Sequence, residues 1–372
     1  MIVIASEAKQ SRGRAHRLLD CFVAELVIGP ATSGRTRWLL AMTRKVAAVT
    51  SSEPLFNRLA LIGVGLIGSS IARAARAQGA VREIVATARS AATRRRVAEL
   101  GLADTVVESN GAAVAGADLV IVCVPVGACG AVAKEIAPYL KAGAIVSDVG
   151  SVKGAIVRDM GPHLPPEIHF VPAHPVAGTE HSGPDAGFAE LFVGRWCILT
   201  PPDGADAAAV ERLAAFWTAL GANVERMAAD HHDLVLAITS HLPHLIAYTI
   251  VGTADELAEV TRSEVLKFSA GGFRDFTRIA ASDPTMWRDV FLTNKDAVLE
   301  MLGTFNEDLS KLTRAIRRGD GEALFEHFAR TRAIRRGIVD IGQDSEAPDF
   351  GRPHSGLPAE PLPRPYAASG DE

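Results

Sequence analysis

His174 stands between Pro172 and Pro175 in H-F-V-P-A-H-P-V-A-G-T-E, His169 to Glu180. A histidine held in an extended, proline-flanked segment at a strand end is less suited to core filling than one on an apolar helix face, which makes it a candidate functional residue. His169 and His181 lack that setting and read as structural. Upstream, S-D-V-G-S-V-K, Ser147 to Lys153, follows an apolar run. That places Ser151 and Lys153 at the carboxyl end of a strand, where ligands gather in open α/β sheets, although Ser151 could equally cap the next helix. Downstream, T-S-H-L-P-H puts Ser240 and His244 four residues apart on one helix face, with His241 pointing elsewhere and Pro243 kinking the helix. In G-G-F-R-D-F-T-R, Gly271 to Arg278, Arg278 is able to hold a substrate carboxylate bidentately or to pair with Asp275. His231, His232, His241 and His244 fit no usual metal spacing, and no metal is expected.

A second chemistry is written in L-A-L-I-G-V-G-L-I-G-S-S, Leu59 to Ser70, where Gly63, Gly65 and Gly68 form G-x-G-x-x-G between an apolar strand and an Ala-rich helix. Gly63 permits the tight turn, Gly65 lets a pyrophosphate approach the backbone, and Gly68 lets helix and strand pack closely. Leu66 and Ile67 inside the motif, with Val124 at the end of the apolar run Asp118–Val124 and Pro125 directly after it, complete the expected dinucleotide site. The acid that would accept hydrogen bonds from an NAD ribose is missing: Val85–Ser90 reads V-A-T-A-R-S, with Ala88 in its place and Thr87, Arg89 and Ser90 around it. Cationic and hydroxyl groups favour the 2′-phosphate of NADP, while stacking of Arg89 on adenine is also compatible with NAD. Arg94, Arg95 and Arg96 read as a solvated helix face.

These residues need a scaffold, and the texture of the chain supplies one. From 54 to 228, short β-rich runs alternate with helical segments, implying an α/β, Rossmann-type, mostly parallel sheet. From 229 to 341 the strands stop and long helices follow, His232–Gly252, Pro284–Arg317 and Gly321–Ile341, an all-helical domain whose apolar faces call for a second copy of the chain. Residues 1–53 carry a basic leader, with eight Lys or Arg against three acids in the first 50 residues. It reads as a disordered extension dispensable for activity, with Met42 an alternative start. Residues 342–372, with six prolines and no apolar period, read as a disordered tail too short for a further regulatory or mutase domain. A net charge of −4 gives no reason to expect nucleic acid or an anionic membrane as partner. No apolar run of about 18 residues is uninterrupted, so a membrane span is not expected. Cys21, Cys123, Cys129 and Cys197 lack a C-x-x-C pair, which argues for reduced thiols and a cytoplasmic location.

Taken in order, G-V-G-L-I-G, D-V-G-S-V-K, H-P-V-A-G-T-E, S-H-L-P-H and G-G-F-R-D-F-T-R-I-A-A-S-D-P-T-M-W resemble the prephenate/arogenate (cyclohexadienyl) dehydrogenases of tyrosine biosynthesis, over about Arg58 to Arg317. The resemblance implies oxidative decarboxylation of prephenate to 4-hydroxyphenylpyruvate, of arogenate to tyrosine, or of both, in a homodimer. His174 would accept the proton of the ring 4-hydroxyl as hydride leaves C4 for NAD(P)+, and Ser151 would orient that hydroxyl and His174. Ser240, His244, the Gly271 backbone and Arg278 would line the side-chain and carboxylate end, and Trp287 would close the pocket, from the partner subunit in one version. The missing acid after the second strand departs from an NAD-using pattern. Two other readings remain: a β-hydroxyacid or imine-type dehydrogenase using Lys153, and a non-catalytic dinucleotide-sensing module.

Overall fold

The computed structural model describes residues 53–179, 181–256 and 271–340. The leader up to residue 52 and the Pro-rich tail therefore lie outside the described residues, as does Glu180 at the end of H-P-V-A-G-T-E.

Six parallel strands form the main sheet in the order β3-β2-β1-β4-β5-β6. They are β1 (Phe56–Ile62), β2 (Val81–Thr87), β3 (Thr105–Val107), β4 (Leu119–Val122), β5 (Ile145–Asp148) and β6 (His169–Phe170). Runs such as Leu-Val-Ile-Val in β4 are buried at every position, as a strand covered on both faces requires. The crossovers are α1 (Leu66–Ala77), α2 (Ala91–Glu99), α3 (Asn110–Val114), α4 (Val126–Ile136) and α5 (Lys153–Met160). Strand order reverses between β1 and β4, and that switch point opens the crevice in which open α/β sheets hold ligands.

The run through His174 does not end as one strand of this sheet. Val171 N donates to Val146 O at 3.0 Å, but Pro172 has no N–H to continue, and its carbonyl instead accepts from Thr200 N at 2.9 Å. The chain thereby passes into a second, three-stranded sheet of β7 (Ala173–Pro175), β8 (Trp196–Leu199) and β9 (Asn223–Arg226), with β7 antiparallel and β9 parallel to β8. His174 faces Ile198 in that register. Helix α6 (Ala207–Ala219), capped by Asp206, packs Phe216 and Trp217 into an edge-to-face aromatic group with Phe56 and Phe192.

The helical part begins with α7 (Ala229–Leu236), a π-helical turn at Ala237–His241, and α8 (Leu242–Glu256). Pro243 cannot donate to the carbonyl of Thr239, and the π turn directly before it absorbs that break, so the helix runs on rather than ending. Spanning Ala229–Glu256, it is long and apolar enough to cross a membrane by length and mean hydropathy. Burial of its polar His232, Asp233 and His241 against the rest of the chain gives those residues a role inside the protein instead. After α9 (Gly271–Thr277), α10 (Pro284–Thr293) starts on an Asp283 cap that accepts from Thr285 N and Met286 N. The expected continuous helix Pro284–Arg317 is interrupted at Asn294, whose φ of −103° and ψ of 32° leave the helical region between α10 and α11 (Lys295–Arg318). Helix α12 (Gly321–Asp340) follows. Trp287 and Val290 of α10 enter the apolar core on the α4–α5 side of the sheet, which docks the helical part on the nucleotide-binding part.

Candidate active site

Two adjoining cavities, about 510 and about 290 Å³, share walls at Ser151, His174 and Gly178. The larger is lined by Gly65, Leu66, Ile67 and Gly68, by Arg89, and by Val124 and Pro125. At Gly63, φ is +89° and a side chain would meet Cys123 O at 2.7 Å. At Gly68 a Cβ would collide with Gly63 O, whereas at Gly65 nothing lies within 4 Å. The first and third glycines are thus required by packing, and the second opens the space a pyrophosphate needs, so the residues present fit a dinucleotide. Thr87 is buried and contributes its carbonyl, which accepts from Gly63 N at 2.9 Å, so its hydroxyl does not line the cavity as expected. Ser90 caps α2, accepting from Thr93 N at 3.0 Å, and does not line the cavity either. Of the arginine run, Arg95 and Arg96 are exposed as expected, Arg96 pairing with the exposed Asp185, while the half-buried Arg94 braces the loop by donating to Ala88 O at 2.9 Å.

Lys153 is fully buried, donating to Asp148 Oδ2 at 2.5 Å and to Ala173 O at 2.7 Å. It lines neither cavity and ties β5 to β7 beneath His174, which removes the acid–base role that a Lys153-dependent dehydrogenase would require. His174 is bonded not to Ser151 but to His232, Nδ1 to Nε2 at 2.8 Å, and His232 Nδ1 meets Asp233 Oδ1 at 2.8 Å. Burial, reinforced by the neighbouring His232 and by Lys153, holds the His174 pKa well below 6.5. The ring is therefore neutral and able to accept a proton at neutral pH. Burial also lowers His232, and it takes His241 down to about 4. Asn294 donates to Asp233 O at 2.9 Å and to His241 Nδ1 at 3.1 Å, while His241 Nε2 is buried with no hydrogen-bond partner among the described residues.

The smaller cavity is walled by Ser240, His244, Arg278 and Trp287. His244 Nδ1 donates to Ser240 O at 2.8 Å, leaving Nε2 as its second polar face, and the ring stacks on Trp287 with centroids 3.6 Å apart. Trp287 comes from the same chain as the rest of this wall. Gly271, at the start of α9, lines neither cavity. The sequence reading missed His232, Asp233 and Asn294 and took His181 as structural, although it lines the larger cavity. An acid directly after paired histidines, H-H-D at 231–233, was the available signal.

Residues 71–226 match the family model of the prephenate dehydrogenase nucleotide-binding domain, and residues 228–330 match that of the prephenate dehydrogenase dimerization domain. A cyclohexadienyl dehydrogenase of Zymomonas mobilis is 45% identical over 281 residues, 76% of this chain and 96% of that protein. A Bacillus subtilis prephenate dehydrogenase is 33% identical over 79% of each chain. The crystal structure of Aquifex aeolicus prephenate dehydrogenase with hydroxyphenyl propionate and NAD+ superposes with a TM-score of 0.71 at 34% identity, covering 76% of this chain and 98% of that one. With both domains matched in order and nearly the whole of a relative covered, the chain belongs to the prephenate dehydrogenase family.

Proposed function

We propose that this chain catalyses the oxidative decarboxylation of prephenate and of arogenate in tyrosine biosynthesis, as a homodimer. The observation that carries the reading is one neutral, buried histidine at the wall shared by a dinucleotide-sized cavity and a cavity ending in an arginine. NAD(P)+, when bound, supplies the hydride acceptor, and the fingerprint glycines, Arg89, Val124 and Pro125 would hold it. His174 takes the proton of the ring 4-hydroxyl, so that loss of hydride from C4 yields a ring carbonyl. That carbonyl is the electron sink into which the C1–carboxylate bond breaks, releasing carbon dioxide and aromatising the ring. Arg278 holds a substrate carboxylate, Ser240 and His244 face the side chain, and Ser151 orients the hydroxyl. With its Nδ1–H given to Ser240 O, a neutral His244 presents an Nε2 lone pair to the ammonium of arogenate, and the ring serves the keto group of prephenate by donating from Nε2 when protonated, which is the basis on which dual specificity is proposed. Ala88 and Arg89 at the end of β2 favour NADP over NAD. Exposed Leu309, Ile316, Phe325 and Phe328 on α11 and α12 support pairing through the helices of the matched dimerization domain.

The deciding assay follows NAD(P)H formation and carbon dioxide release with prephenate and then arogenate. His174→Asn is expected to abolish turnover while leaving NADP+ affinity within about threefold, and Arg89→Ala to lower kcat/KM for NADP+ more than for NAD+. Full activity in His174→Asn overturns the mechanism, and an unchanged cofactor ratio in Arg89→Ala overturns the NADP assignment.

A further inference from the structure

Asp233 does more than cap a helix. Its two carboxylate oxygens accept from Lys153 N at 2.7 Å and Gly154 N at 2.8 Å, at the first turn of α5. A carboxylate only accepts, so the 2.8 Å contact with His232 places a proton on His232 Nδ1. A neutral His232 then has a bare Nε2, and the 2.8 Å contact with His174 requires that the proton there sit on His174 Nδ1. What remains is a lone pair on His174 Nε2, in a residue that lines both cavities.

We infer that Asp233 and His232 are positioning residues for the reaction, a hydrogen-bonded chain that fixes His174 in the one neutral tautomer whose Nε2 can take the substrate's proton. The inference rests on the function proposed above. In the balanced step, the 4-hydroxyl O–H breaks toward His174 Nε2, hydride leaves C4 for NAD(P)+, and the C4 carbonyl forms. The C1–carboxylate electrons then flow through the ring to that oxygen, carbon dioxide leaves, and His174 returns its proton to the phenolate. Between the two transfers His174 is an imidazolium beside the Lys153 ammonium and His241, with Asp148 committed to Lys153. Among the described residues, the Asp233 charge, reaching it through His232, is what offsets that unfavourable setting. Asn294 bonds the Asp233 backbone carbonyl and so fixes the register of the same turn.

The test uses the full-length protein with 15N-labelled histidine, assigning His174 by its loss in His174→Asn. Wild type is expected to carry the His174 proton on Nδ1. The amide introduced by Asp233→Asn can donate to His232 Nδ1 and thereby reverse the chain. That variant should therefore shift His174 to the Nε2–H form and lower kcat by about 10²- to 10⁴-fold, the scale seen when a buried carboxylate that sets a histidine tautomer is lost. KM for prephenate and Kd for NAD(P)+ should move by less than about threefold, since neither substrate touches Asp233. A glutamine side chain in place of His232 can accept from His174 and donate to Asp233, so His232→Gln should keep at least about tenfold more kcat than His232→Ala, a rescue that packing alone does not give. A folded Asp233→Asn enzyme with kcat within about threefold of wild type overturns the inference, as does wild-type His174 protonated on Nε2. Should Asp233→Asn fail to fold, equal kcat in His232→Gln and His232→Ala overturns it instead. Wild type inactive on both prephenate and arogenate counts against the dehydrogenase reading, and the His174 tautomer in the same sample still decides the chain.

Discussion

At the scale of single residues, the site divides into groups that touch ligand and groups that hold them. Lys153 is the clearest of the second kind: a fully buried ammonium whose partners, Asp148 and the carbonyl next to His174, are themselves buried. Removing one member of such a pair leaves the other charge without compensation, so Lys153→Met should destabilise the protein by about 3–5 kcal/mol. Urea unfolding measures this, and a loss under about 1 kcal/mol would show the pair to be dispensable. Cys123, Cys129 and Cys197 are free thiols whose pKa burial raises, which keeps them protonated.

At the scale of elements, the turn from β1 to α1 separates two reasons for a glycine. A side chain at 68 would overlap the Gly63 carbonyl, while at 65, where φ is −90°, it would meet nothing. Gly68→Ala should therefore lower thermal stability, by about 1–3 kcal/mol on the scale of overpacking. Gly65→Ala should fold as wild type and weaken NAD(P)+ binding. Thermal melts with and without cofactor distinguish them, and a destabilised Gly65→Ala apoprotein would contradict the assignment. The Ala229–Glu256 helix shows a different economy, since its first turns carry His232 and Asp233 to the Rossmann side while the π turn and Pro243 set the positions of Ser240 and His244. One helix thereby reaches both His174, through His232, and the smaller cavity, through Ser240 and His244.

For the whole molecule, His174, His232, His241 and His244 all sit where burial lowers the ring pKa, to about 4 for His241. In the unfolded chain each ring titrates near 6.5, so below that pH the unfolded state binds more protons and stability falls, by up to about 1.4 kcal/mol per pH unit per ring. Above pH 6.5 the rings are neutral in both states and contribute no slope. Melting temperatures at pH 7.5, 6.5 and 5.5 should hold across the first interval and drop across the second, and a flat profile would argue that the rings are solvated. The sequence alone determined the α/β-then-helical plan and the dinucleotide loop and singled out His174, because each is encoded locally, by hydrophobic period, glycine spacing or a proline-framed histidine, whereas Ser240, His244 and Arg278 were joined into one wall only by the resemblance of their motifs to a family. Tertiary structure decided what lies between those motifs. That His174 belongs to a second sheet depends on where Thr200 finds a carbonyl, and that Lys153 is a clamp depends on Asp148 and Ala173 closing over it. The Asp233–His232–His174 chain bridges 58 positions between its two histidines, and a hydrogen bond across that distance is set by packing, which no local pattern records.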